Sequence, residues 1–221
     1  MKISLLCTSG EHPINSSLRA WADSQACAHE VAIFRDKKDL SRGDLLFLVS
    51  CSQLIDQAIR SLYRHTLVLH ASNLPQGRGW SPHVWELLDG AKSITVSLLD
   101  AEDEVDSGAI WAKREISVPL GALYDEINKA LFETEISLMS EAVARINDET
   151  APVPQDATVE PTFHRKRTPA DSEIDPSLSL EALFNKIRLM DPERYPAYFY
   201  LHGQKYTIEL RKVSSDDKFH D

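Results

Sequence analysis

The chain has 221 residues, 43% of them apolar, and a formal net charge of −10 from 24 Lys and Arg against 34 Asp and Glu. That length supports one good core with a small appendage, and no apolar run nears the roughly 20 residues that cross a bilayer. The acidic balance counts against a nucleic-acid partner, because nucleic-acid binders carry a basic footprint.

The N-terminal run Met1 to Cys7 has too short an apolar stretch for a signal peptide and reads as a first strand, Ile3 to Cys7, ending in a Ser9-Gly10 turn. Asn15 or Ser16 caps a helix that carries Leu18, Trp21 and Ala22. Glu30 to Phe34 and Leu45 to Val49 are further strands. The second is uninterruptedly apolar, as parallel strands covered on both faces are. Gln53 to Tyr63 places Leu54, Ile55, Ala58, Ile59 and Leu62 at helical spacing, and Thr66 to Leu69 is a fourth strand. This alternation predicts an α/β fold: a mostly parallel twisted sheet with helices on both faces and right-handed crossovers. Pro82 to Leu88 reads as a helix with Ser81 as N-cap and Gly90 at its stop. Ile94 to Leu98 and Ala109 to Val118 read as strands, and Leu120 to Ile146 as a long amphipathic helix across the sheet. A domain of 1–147 follows from this. Residues 148–177 form an irregular connecting segment, and 178–221 a small subdomain. In that subdomain a helix, Leu178 to Met190, precedes a hairpin of Ala197 to Leu201 and Lys205 to Leu210. Its tyrosines, Tyr195, Tyr198, Tyr200 and Tyr206, read as a small core or a homodimer patch.

Cys7, Cys27 and Cys51 have no metal-ligand spacing and an odd count, which fits a reducing cytoplasm and no metal. The chemistry concentrates in His70-Ala-Ser-Asn-Leu-Pro-Gln-Gly-Arg78-Gly-Trp80-Ser-Pro82. An imidazole at the end of a buried strand, followed by a loop stiffened by Pro75 and loosened by Gly77 and Gly79, sits where open α/β sheets bind ligands. Later, Glu104-Val-Asp106-Ser-Gly108 offers a carboxylate in a turn. A histidine near neutral pKa with a carboxylate beside it suits acyl transfer to an amine, where a proton must leave the attacking nitrogen. Arg78 has two readings: bidentate contact with a diphosphate, or an ion pair with one of the many carboxylates. The basic run His164-Arg165-Lys166-Arg167 likewise either attracts a diphosphate or contacts Asp171, Glu173 and Asp175.

Together these residues resemble the formyltransferases that use 10-formyltetrahydrofolate. That family carries a His-x-Ser-x-Leu-Pro segment, a following Arg-Gly and a later Asp-Thr/Ser-Gly, matched here by His70, Ser72, Leu74, Pro75, Arg78, Gly79, Asp106, Ser107 and Gly108. The likeness resumes at Arg167-Thr-Pro-Ala-Asp171-Ser-Glu-Ile-Asp175. It implies a Rossmann-like catalytic domain with His70 and Asp106 as catalytic residues. It also implies, by position, a folate site in the loops Ser52, Gln53, Leu54, Ile55 and Ala101, Glu102, Asp103; Arg78, Trp80, Arg165 and Arg167 are the candidate acceptor contacts. One position departs from the pattern: Val68 stands where the family has an Asn that donates to the developing oxyanion. Asn73 or a backbone N–H is left for that task. Family members with the later segment formylate nucleotide-linked amino sugars or methionyl-tRNA. The short, acidic chain, with no room for an added tRNA-holding barrel, favours a nucleotide-linked amino sugar, with a UDP-4-amino-4,6-dideoxy sugar of a pseudaminic-type pathway first. Methionyl-tRNA formylation and a non-catalytic folate- or nucleotide-sugar-binding relative are the alternatives.

Overall fold

The computed structural model describes residues 1–213. Strand β1 (Lys2–Leu6) leads through helix α1 (Asn15–Gln25) to β2 (Glu30–Phe34), β3 (Leu45–Leu48), the one-turn α2 (Gln57–Arg60) and β4 (His65–His70). The two-residue β5 (Arg78–Gly79) and α3 (Pro82–Leu88) precede β6 (Ser93–Asp100), β7 (Ile110–Ser117) and α4 (Tyr124–Asn147). After them come β8 (Phe163–His164), α5 (Leu180–Arg188) and the hairpin β9 (Ala197–Leu201) and β10 (Gln204–Ile208). The central six-stranded sheet has the order β2-β1-β3-β4-β6-β7. Its first four strands pair parallel, and β6 and β7 join antiparallel.

The apolar runs of the strands divide by parity, because successive side chains leave a strand on opposite faces. Ile3, Leu5, Leu45, Phe47, Leu67 and Leu69 enter the main core with Leu18 and Trp21 of α1 and Leu131, Leu138, Met139 and Ala142 of α4. Leu6, Leu46 and Leu48 enter a second cluster on the other face with Leu40, Ile55 and Tyr63, and Val68 packs against it. The Trp21 indole N–H donates to Ser140 Oγ at 2.9 Å, tying α1 to α4. A truncation such as Phe47→Ala would empty space in fully buried surroundings, a change that costs about 3–5 kcal/mol.

Two expectations change. The helix expected over 53–63 is a single turn, because the Asp56 carboxylate caps at Ile59 N (3.0 Å) and the chain turns again after Arg60. Ile55 still reaches the second core while Leu54 is 74% exposed, so the apolar spacing reflects packing of an irregular chain. Ile59 of α2 still packs on the second cluster, so helical turns stand on both faces of the sheet. Ser81 does not cap α3: it has φ +48 and no side-chain cap bond, while Pro82 does stand at the helix start. Within the mostly parallel sheet, β6 runs antiparallel to β4. With His70 paired to Ser97, the connection through α3 re-enters the sheet at the carboxyl end of β4.

Candidate active site

His70 is the last residue of β4 and is buried. It shares a cross-sheet row with Ser97 of β6 and Lys113 of β7. All three side chains reach one loop. His70 Nε2 lies 2.8 Å from Gly77 O, Ser97 Oγ donates to Ser72 O at 2.7 Å, and Lys113 Nζ donates to Asn73 Oδ1 at 2.8 Å and to Leu74 O. Partial burial lowers the Lys113 pKa. A carbonyl oxygen only accepts, so Nε2 carries a proton and Nδ1 is the nitrogen left for chemistry.

Nδ1 faces Asp106. The Asp106 Oδ2 atom lies 3.6 Å from it and accepts the Gly79 N–H at 2.9 Å. Asp106 itself is in the left-handed region, φ +55. Gly108 follows at a place where a Cβ would run into the Asp100 carbonyl, which explains the glycine in Asp-Ser-Gly. Gln155 Nε2 donates to Asp106 O (2.7 Å) and Gly108 O (3.0 Å), and Arg78 donates to Gln155 Oε1 (3.1 Å) and Glu104 Oε1 (2.7 Å). Arg78 is thus buried behind the carboxylate turn and bound to protein groups. Gln155 was missed in the sequence: it lies in the aperiodic 148–163 stretch, with no motif to mark it.

The other candidates fall into three places. Asn73 is exposed, with its Oδ1 on Lys113, so its amide nitrogen is the end left free. Ser52 N donates to Thr8 Oγ1, Gln53 Oε1 accepts from Lys37 N, and Leu54 O accepts from Lys37 Nζ. Asp103 pairs with Arg60 at 2.7 Å, Glu102 is exposed, and Ala101 packs against the same cluster as Cys51, Ile55 and Val68. The two loops therefore meet at the edge of that cluster. Trp80 is 40% exposed. Arg165 pairs with Asp171 and covers the Trp85 ring at 4.7 Å, and Arg167 is turned onto the Met190 sulfur.

A sequence model of the formyl transferase family matches residues 4–143. The chain belongs to that family. As a member of it, the chain also matches, over residues 169–219, the model of the methionyl-tRNA formyltransferase C-terminal domain. Chain length therefore does not count against a tRNA substrate. The chain is 31% identical over 178 residues to a methionyl-tRNA formyltransferase of Syntrophomonas wolfei, covering 79% of this chain and 56% of that one. A Bacillus licheniformis methionyl-tRNA formyltransferase is 30% identical over 179 residues, covering 76% and 54%. The chain spans about half the length of these curated relatives.

The fold of this formyl transferase family member is shared with solved structures at low identity. The methionyl-tRNA formyltransferase from Clostridium thermocellum superposes with TM-score 0.81 at 20% identity, covering 98% of this chain and 95% of that one. HypX from Aquifex aeolicus in complex with tetrahydrofolic acid gives 0.80 at 22%, covering 95% and 37%. A 4-N formyltransferase from Francisella tularensis gives 0.72 at 18%, covering 96% and 98%.

Proposed function

We propose that this chain is an N-formyltransferase that moves the formyl group of 10-formyltetrahydrofolate to the amine of a nucleotide-linked amino-deoxysugar. One observation carries the reading: His70 Nδ1 and the Asp106 carboxylate face each other at 3.6 Å, both buried, with Nε2 and Oδ2 each fixed by a backbone group. That gap exceeds a hydrogen bond, so the N–H of an incoming amine has room at both groups. The formyl donor supplies the activated carbonyl carbon. Nδ1 takes the proton as the amine attacks, the imidazolium so formed stands beside a carboxylate that stabilises it, and the proton then passes to the folate N10 as the bond from N10 to the formyl carbon breaks and tetrahydrofolate leaves. Asp106 also attracts an ammonium before it gives up its proton. The exposed amide nitrogen of Asn73, its oxygen end held by Lys113, is the donor offered to the charge on the formyl oxygen. Val68 cannot donate there.

The edge of the second cluster fits the flat ring of the folate. Cys51, Val68 and Ala101 are partly buried there, and Leu54 stands exposed in the adjoining loop. The intact His70–Asp106 geometry supports an enzyme over a non-catalytic binder. The net charge of −10 supports a small acceptor. A second reading, methionyl-tRNA formylation, is favoured by the C-terminal match and by the names of the curated relatives. The test incubates the chain and 10-formyltetrahydrofolate with a panel of UDP- and dTDP-linked amino sugars, with charged initiator tRNA in parallel. A gain of one CO on a sugar nucleotide supports the first reading. Product on the tRNA alone replaces it with the second, and no product anywhere overturns both.

A further inference from the structure

We propose that Trp80 and Lys166 form a nucleotide-binding shelf beside the His70–Asp106 pair: a base stacks on the Trp80 ring and its phosphate meets the Lys166 ammonium. The proposal rests on the reading that the amine to be formylated is carried on a nucleotide. The backbone places the shelf at the site. Gly79 N donates to the Asp106 carboxylate, and the next residue, Trp80, donates its N–H to His164 O at 3.1 Å. The β5–β8 ladder thus fixes the chemistry and the shelf together. A Cβ at Gly79, whose φ is +96, would run into the His164 carbonyl, so the two strands approach closely because this residue is glycine.

The side chains then sort themselves. Four basic or aromatic groups of this region are already engaged. Trp85 lies parallel to His164, 6.3 Å between centroids, with the Arg165 guanidinium at 4.7 Å over its ring. Arg165 is held by Asp171, and Arg167 is half-buried on Met190. Trp80 and Lys166 are different. Trp80 is 40% exposed, and Lys166 Nζ stands 4.7 Å over its ring. Among the described residues Lys166 makes no ion pair, in a chain with ten more acidic than basic side chains. A cation resting on an exposed indole occupies the face that a base would take. Its four-carbon stem is flexible, so the ammonium can swing off the ring and follow the base's phosphate. Phe163, 62% exposed, flanks the same ladder with Arg78 at 5.8 Å. An aromatic ring with an adjacent cation is the pairing that holds a nucleotide without reading its base.

Both a nucleoside diphosphate and the 3′ end of an RNA offer this chemistry. The experiment therefore titrates the full chain, without folate, with UDP, uridine and a short oligoribonucleotide ending in CCA. The same titrations use Trp80→Ala and Lys166→Ala, both surface changes checked by thermal unfolding. The expected result is binding of UDP or of the oligonucleotide, weakened roughly 5- to 100-fold by Trp80→Ala. Lys166→Ala should remove the advantage of UDP over uridine and flatten the salt dependence. UDP binding alone assigns the shelf to a small nucleotide, and oligonucleotide binding alone assigns it to RNA. Absence of binding to either probe, or affinities unchanged in both folded variants, overturns the shelf. Formyl transfer is read separately. Shelf-dependent binding without turnover refutes the enzyme reading alone, and turnover with an unchanged acceptor KM in both variants refutes the shelf alone.

Discussion

At the scale of single residues, the two nitrogens of the His70 ring do different jobs. Nε2 is fixed on Gly77 O, so Nδ1 alone exchanges protons, and Asp106 sits on that side only. His70→Ala should lower kcat by roughly 10²–10⁴-fold, and Asp106→Asn should lower it through loss of charge at constant shape. The double variant should lose little more than the worse single one, because the two groups act as a unit. Steady-state kinetics on variants shown folded by circular dichroism read this; near-wild-type turnover would refute the pair. Val68 tests the departure from the family pattern. Its side chain is partly buried against the second core, so Val68→Asn should cost about 1–2 kcal/mol in urea unfolding. It should also raise kcat by restoring a donor near His70. An unchanged or lower kcat would show that Asn73 or a backbone amide already fills the role.

At the scale of elements, the active site is a loop problem. The strands were legible in the sequence because buried β-strands are short apolar runs: Glu30–Phe34 agrees at both ends, and β1, β3 and β4 differ by a residue or two. Sequence reasoning failed where tertiary contacts override local pattern. The apolar spacing around Ile55 and Ile59 serves a core that an irregular chain reaches as well as a helix would. No local signal encodes the antiparallel entry of β6. His70 and Asp106 were legible as motif residues, but the parts that aim them were not. Gln155 and Lys113 act through backbone carbonyls, and any residue can supply a carbonyl, so no pattern points to them. Gln155→Ala should free the carbonyls of Asp106 and Gly108, lowering kcat with the fold retained. Gly79→Ala should do more. It forces a Cβ against the His164 carbonyl and breaks the β5–β8 approach that carries the Asp106 contact. A loss of about 1–3 kcal/mol together with a fall in kcat is expected from thermal unfolding and kinetics. Full activity in Gly79→Ala would show that the ladder does not position Asp106.

At the scale of the whole molecule, buried titratable groups set how stability responds to pH. Glu135 on α4 lies inside the protein with no partner for Oε2, and burial pushes its pKa up to about 8. His12 and His83 are pushed the other way, each down to about 4, mainly by burial. The signs follow from proton counts in the two states. Between pH 4.5 and 8 the folded protein holds the Glu135 proton that the unfolded chain has released, so this group makes stability fall as pH rises. Below pH 6.5 the unfolded chain protonates both histidines while the folded protein keeps them neutral, so these groups make stability fall as pH drops. Each proton is worth about 1.4 kcal/mol per pH unit. Two histidines outweigh one glutamate below pH 6.5, and the glutamate acts alone above it. The unfolding midpoint should therefore peak near pH 6.5 and decline on both sides. Glu135→Gln keeps the shape and removes the ionisation, so its alkaline limb should flatten while the acid limb stays. Urea unfolding of both proteins from pH 5 to pH 9 measures this, and parallel alkaline limbs would show that Glu135 is ionised in the folded protein at neutral pH.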